Sequence, residues 1–269
     1  MNLQNILSEI EKVDGEIFDR LAHVSRRGLF SSLTKKTIAV AAPAVMASAL
    51  TSAYGQASGL PQGVKDVLNF ALTLEYLEFR FYDAGRNLSM IPNNYKAAFE
   101  LIRQHEQVHV RLLKSVLGAE AVAEPKFDFT AKGTFNDVFS NFATFSAVAQ
   151  TLEDTGVRAY KGQAGNLMPA PAILQVALQI HATEAAHAAN VRYMRGQKGW
   201  ITGGTAALQG LPLVVEGNYK GEENLTQAGV NLATALAGDS RVTADMVSQA
   251  FDEILTKEDV LKLVTPFLA

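Results

Sequence analysis

The chain has 269 residues, 48% of them hydrophobic, and a formal net charge of −3, enough for one sizeable packed domain with appendages. That net charge points away from a nucleic-acid partner. With no cysteine present, disulfides, thiolate catalysis, iron–sulfur clusters and Cys-ligated zinc are all excluded.

Residues 1–24 carry apolar positions at helical spacing, Leu3, Ile6, Leu7 and Ile10 among them. Next come Ser25-Arg26-Arg27-Gly28-Leu29-Phe30, the pair Lys35-Lys36, and an Ala-rich apolar run from Thr37 to Leu50. This order matches a twin-arginine export signal with a long n-region. The usual aromatic-then-Leu order is exchanged at Leu29 and Phe30, and Pro43 interrupts the apolar run. The run is too short and too Ala-rich for a comfortable membrane span. Residues 1–57 are therefore assigned as a signal region, cleaved between Ala49 and Ala57. The twin-arginine translocase is the expected partner and the periplasm, or another exported location, the destination. An uncleaved anchor or a cytosolic helix is the alternative.

Four helices are expected across 58–198. The first covers about 64–84, with Leu68, Leu72 and Phe79 on its inner stripe, and stops at Gly85. Pro92 then turns the chain into a second helix over about 95–117, stopped by Gly118. Residues 118–133 hold Pro125, Gly133 and few periodic apolar positions. A third helix is expected over about 134–161, with Val138, Phe139, Phe142 and Phe145 on a broad apolar face. The fourth, about 171–195, ends in Arg192, Arg195 and Gly196, cations and a glycine where a helix C-terminus favours them. Residues 199–269 begin as loop, and a further helix pair is expected at 227–237 and 243–264. Asp252, Glu253, Glu258 and Asp259 read as a solvated face there. This extension is expected to cover the bundle or to make an oligomer contact, which leaves a homo-oligomer open.

Two short stretches carry the chemistry: Glu106-Gln107-Val108-His109 and Glu184-Ala185-Ala186-His187. Each sets a carboxylate and an imidazole three residues apart, on one helical face. One such pair is weak evidence. Here a single offset of 78 residues maps Glu75 to Glu153, Tyr82 to Tyr160, Glu106 to Glu184 and His109 to His187. The implied object is an all-α four-helix bundle with a twofold internal repeat, whose metal ligands are Glu75, Glu106, His109, Glu153, Glu184 and His187. Hard carboxylates with imidazole suit iron or manganese, and two divalent ions neutralise four glutamates. The alternative is a set of inter-helix salt bridges, for which Arg80, Arg103 and Arg158 are the available cations. Glu78 is expected at the surface, an extra ligand being the alternative, since the repeat has Gly156 there. His105 is expected to point away from the site. His181 is expected to be ordinary.

On these motifs, residues 64–197 resemble a ferritin-like di-metal domain. The tyrosine spacing resembles bacterioferritin, and the whole chain is similar to bacterial ferritin-like proteins grouped with plant desiccation-related proteins. The resemblance implies one long crossover between helices two and three, which the link at 118–133 is long enough to make. It implies two iron or two manganese ions, with Glu75 and Glu153 terminal, Glu106 and Glu184 bridging, and one histidine on each ion. Tyr82 and Tyr160 are the candidate catalytic residues, orienting carboxylates by hydrogen bond. The expected function is an oxidoreductase acting on oxygen or peroxide, as a ferroxidase, peroxidase or catalase-like enzyme. A non-catalytic metal-sequestering or desiccation-related role is the alternative.

Overall fold

The computed structural model describes residues 59–269. The twin-arginine stretch and the rest of the 1–57 signal region lie outside the described residues. Four long helices dominate: α1 (Gln62–Gly85), α2 (Asn93–Leu117), α3 (Phe142–Gln163) and α4 (Pro171–Met194). None of the described helices is long and apolar enough to cross a membrane.

Each boundary has a local cause. Proline supplies the fixed φ just before α2 and at the first position of α4. Gly118 ends α2 at φ +58°, in the left-handed half of the map that only glycine enters cheaply. Gly85 is the last residue of α1, and α3 comes so close there that a Cβ would meet the Phe145 ring at 2.5 Å. The start of α3 differs from expectation. Residues 134–141 form turns instead, after Ala131, Lys132 and Gly133 have all taken positive φ. The helix begins only where the Asn141 side chain accepts a hydrogen bond from the Ala143 amide at 3.0 Å. Val138 and Phe139 still join the core, but from turns.

The helices form a square in which neighbours run antiparallel. Short connections pair α1 with α2 and α3 with α4. Between α1 and α3, Tyr82 reaches Glu153 and Tyr160 reaches Glu75, so those helices run in opposite senses. Between α2 and α4, His187 meets Glu106 and His109 meets Glu184. The diagonal pair α2 and α3 must then be parallel, and residues 118–141 make the required crossover. The apolar core divides in two along the bundle. One cluster, with Phe81, Tyr82, Phe99 and Phe145, fills the end near the α1–α2 loop. The other, with Leu68, Leu72, Leu113, Tyr160 and Ile180, fills the opposite end.

The C-terminal segment holds less helix than its periodicity suggested. It contains a hairpin of β1 (Thr226–Gln227) and β2 (Val230–Asn231), then α5 (Leu232–Ala235), α6 (Ala244–Gln249) and α7 (Lys257–Val264). Asn231, Thr243 and Thr256 each cap a helix start through their side chains, which breaks the expected pair into pieces. Of the acidic residues expected to be solvated, Glu258 and Asp259 pair with Lys262 and Thr256 at the surface, whereas Glu253 accepts bonds from Asn224 and Gln227. The segment is pinned to α3 through buried polar groups. Arg158, 1% exposed, binds Glu222 at 2.8 Å and donates to the carbonyls of Asn218, Lys220 and Glu253. Arg192 and Tyr219 converge on Asp154. The last residues pair with the crossover, Asp128 N–H donating to Phe267 O at 2.8 Å and Ala269 N–H to Lys126 O at 2.9 Å.

Removing Arg158 strands a buried carboxylate and several carbonyls, so Arg158→Ala is expected to cost roughly 3–5 kcal/mol. Thermal unfolding and limited proteolysis within 199–269 measure this. Arg80→Ala, the same change on the exposed repeat partner, is expected to cost under about 1 kcal/mol.

Candidate metal centre

All six residues expected to be ligands converge at mid-height of the bundle, between the two apolar clusters. Glu75 comes from α1, Glu106 and His109 from α2, Glu153 from α3, Glu184 and His187 from α4. The four glutamates are 0% exposed, His109 7% and His187 4%. Three-residue spacing on α2 and α4 stacks each Glu–His pair on the inward face, as the sequence required.

The donor atoms fall into two overlapping groups, each within a 4.8 Å span. Glu75, Glu106, His109 and Glu184 form one; Glu106, Glu153, Glu184 and His187 form the other. Glu106 and Glu184 belong to both. His109 Nδ1 lies 3.1 Å from Glu75 Oε2, 3.1 Å from Glu106 Oε2 and 3.2 Å from Glu184 Oε1. His187 Nδ1 lies 2.8 Å from Glu106 Oε1 and 3.2 Å from Glu153 Oε2. The repeat thus yields two near-equivalent half-sites sharing two carboxylates.

The tyrosines cross the bundle reciprocally. Tyr82 of α1 donates to Glu153 of α3 at 2.5 Å, and Tyr160 of α3 donates to Glu75 of α1. Each hydroxyl occupies one oxygen of an α1 or α3 glutamate and leaves the other for the centre. Burial, reinforced by the adjacent carboxylates, pushes both phenols well above their ordinary range.

The expectation of a surface Glu78 is overturned. Its side chain is buried, 3% exposed, and reaches inward to α3. His105 also differs: its Nδ1 lies 2.9 Å from His187 Nε2, and the two rings stack. Both were detectable from spacing. Glu78 is three residues from Glu75 and His105 four from His109, so each shares a helical face with a ligand candidate. His181 is ordinary, its Nδ1 lying 2.9 Å from the Val157 carbonyl. The salt-bridge alternative finds no support in arginine. Arg80 pairs with Glu124 and Asp83, Arg103 with Glu100 and Asp83, and Arg158 with Glu222. Among the described residues, the cations within ion-pair distance of the four glutamates are the two histidines.

The charge is poorly balanced by the protein alone. Burial pushes Glu75 up to about 8, against the pull of His109. Burial likewise holds Glu78 and Glu153 well above the carboxylate range, with the neighbouring glutamates adding to it. Burial opposes ionisation of Glu106 and Glu184 too, yet the histidines hold both below their ordinary values. The same carboxylates overcome burial to raise His109 and His187. Hydrogen bonding nevertheless remains incomplete: Glu106 Oε1, Glu153 Oε2, both Glu184 oxygens and His187 Nδ1 are buried without a partner of adequate geometry. Orphaned buried donors and acceptors are rare in native proteins and ask for an occupant. An all-oxygen-and-nitrogen donor set converging from four helices fits a metal.

Without metal, raised carboxyl values fix the sign of the pH dependence. The folded chain keeps the Glu75 proton that the unfolded chain has already released above about 4.5. Stability is therefore lost as pH rises from about 4.5 to 8. Glu78 and Glu153 act in the same sense, and so do the histidines above about 6.5. Calorimetry of metal-free protein should show its melting temperature falling between about pH 5 and 8. Glu75→Gln should flatten part of that slope.

Comparison with known proteins agrees with this geometry. No curated protein matches the sequence. The model of the ferritin-like domain family matches residues 63–197, half of the chain and all six converging residues. A four-helix bundle with a long crossover, a buried carboxylate–histidine cluster at its centre and this match together place the chain in the ferritin-like domain family.

Proposed function

We propose that this protein is a di-metal oxidoreductase acting on oxygen or peroxide. The observation that carries the reading is the pair of overlapping four-residue groups with Glu106 and Glu184 in common. Glu75 and His109 would complete one ion position, Glu153 and His187 the other, with the shared glutamates spanning both. Two iron or two manganese ions held there would supply the electrons and Lewis acidity for reducing oxygen or peroxide. The protein's own contribution is positional. Tyr82 and Tyr160 fix the rotamers of Glu153 and Glu75, and each holds a proton at its hydroxyl oxygen beside the centre. The apolar clusters above and below keep bulk water away.

The two ends of the bundle differ in access. Tyr82 and Phe145 line a cavity of about 410 Å³ that opens between Arg86, Lys96 and Glu100. The cavities touching Tyr160 measure only about 20 and 10 Å³ and are lined almost wholly by apolar side chains. This contrast supports entry of a small oxidant at the Tyr82 end. Metal sequestration is the second reading, and the complete burial of all four glutamates favours it, because a structural metal site is closed.

We also propose export by the twin-arginine route, supported by Arg26-Arg27 and the apolar run after it. That route carries folded proteins, so the metal would be chosen before export rather than by affinity order outside. Changing both arginines to lysine should trap full-length protein in the cytoplasm; unaltered processing would reject the assignment.

Protein from its native compartment should contain two ions per chain, and Glu106→Ala or Glu184→Ala should lower that number. Loaded wild type should turn over peroxide, or oxygen with ferrous ion. Glu153→Ala should abolish turnover, and Tyr82→Phe or Tyr160→Phe should slow it roughly 10- to 100-fold. Two bound ions with no turnover on either oxidant would decide for sequestration.

A further inference from the structure

The internal repeat breaks at one buried position. Offset by 78, Glu78 of α1 corresponds to Gly156 of α3. These repeat partners also face each other. A Cβ built on Gly156 would lie 2.9 Å from Glu78 Oε1, 3.6 Å from Glu184 Cγ and 3.7 Å from Glu184 Oε2. Residues related by a twofold axis can touch only on that axis. The reciprocal bonds Tyr82–Glu153 and Tyr160–Glu75 lie to either side of it. Two glutamates at this place would compete for one volume, so one side chain fills it and glycine vacates it.

Glu78 is only 3% exposed, and the charged groups nearest it are other carboxylates, Glu184, Glu153, Glu106 and Glu75. Gly156 has on one side Glu78 and on the other Glu184, one of the two glutamates common to both half-sites. A carboxylate buried among other carboxylates is costly, and a protein with no use for it would carry an apolar residue there. The charged neighbours of Glu78 come from both half-sites, Glu75 from one, Glu153 from the other, and Glu106 and Glu184 from both.

We propose that Glu78 is a seventh ligand of the centre, a carboxylate from the α1–α3 side shared between the two ion positions. The assignment rests on the di-metal reading above. Gly156 is then a specificity device of the same site, since its missing Cβ makes the room that Glu78 uses. A fifth carboxylate exceeds what two divalent ions neutralise, so it favours a centre able to reach a higher total charge.

Cobalt(II) titration of the full chain tests this, because the intensity and position of its visible absorption follow coordination number and geometry. Wild type should bind two ions. Glu78→Gln should weaken binding by about 10-fold or more and change the absorption. Gly156→Ala removes no carboxylate but pushes Glu78 aside, and should shift the spectrum in the same direction. This variant decides the matter if Glu78→Gln does not fold. The mirror variant Glu78→Gly with Gly156→Glu should recover the wild-type affinity and spectrum, because an on-axis carboxylate can be supplied from either helix. A purely packing role for Glu78 predicts no such recovery. Two cobalt ions bound by wild type, Glu78→Gln and Gly156→Ala with equal affinity and identical spectra would overturn the assignment while leaving the di-metal reading intact. A wild type that takes up neither cobalt, iron nor manganese would overturn both.

Discussion

Everything in this bundle is arranged around a concentration of negative charge that water cannot reach. Glu75, Glu106, Glu153 and Glu184 are wholly buried, with Glu78 beside them. Moving one carboxylate out of water costs of the order of several kcal/mol even after relaxation. Two histidines offset part of that cost and raise their own proton affinity in doing so. Burial also favours the protonated form of some carboxyls, pushing Glu75 up to about 8 and Glu153 well above the carboxylate range. Ions held among these carboxylates would relieve that instability on binding. The two apolar clusters, one at each end, supply the stability that the polar middle consumes.

The twofold repeat makes the site economical and also restricts it. Two copies of one helix pair produce two half-sites, and Glu106 and Glu184 belong to both. Departures from symmetry then acquire meaning. His105 touches His187, whereas the repeat offers Thr183, whose hydroxyl bonds back into its own helix at Gln179. The half-site of His187 therefore has an additional imidazole behind it, of the kind that fixes the ring orientation of a ligand. Glu78 and Gly156 show the limit of repetition, because a position on the axis holds one side chain or none.

The repeat continues on the outside of the bundle, with a different use. Arg80 and Arg158 are also related by 78 residues. Arg80 holds Glu124 of the crossover at the surface, while Arg158 is buried under the C-terminal segment and bound to Glu222. The crossover and the C-terminal segment thus dress corresponding flanks of α1 and α3. Their mutual pairing near Phe127 and Leu268 ties both coverings together. Burying Arg158 and the Arg192–Asp154 pair commits the segment to this one placement, because either group unpaired would be heavily penalised.

Sequence alone was sufficient for the features that helical geometry makes local. A three-residue spacing puts Glu106 with His109, and Glu184 with His187, on one face wherever the helix goes. The 78-residue offset then says that two such faces must meet. The four helices followed to within a few residues, except that α3 starts at Phe142 instead of 134. There the side-chain cap of Asn141 and the left-handed turn at 131–133 outweighed apolar periodicity. The C-terminal segment holds shorter helices than its amphipathic pattern suggests for the same reason, with side-chain caps at Thr243 and Thr256 setting the helix starts. What only the tertiary structure decided were the relations between helices: which glutamate each tyrosine meets, that His105 reaches His187, and that Glu78 is buried against Gly156. Spacing fixes the face on which a side chain lies, but not what stands opposite it. That depends on how far one helix slides along another, and packing of the whole bundle sets the slide.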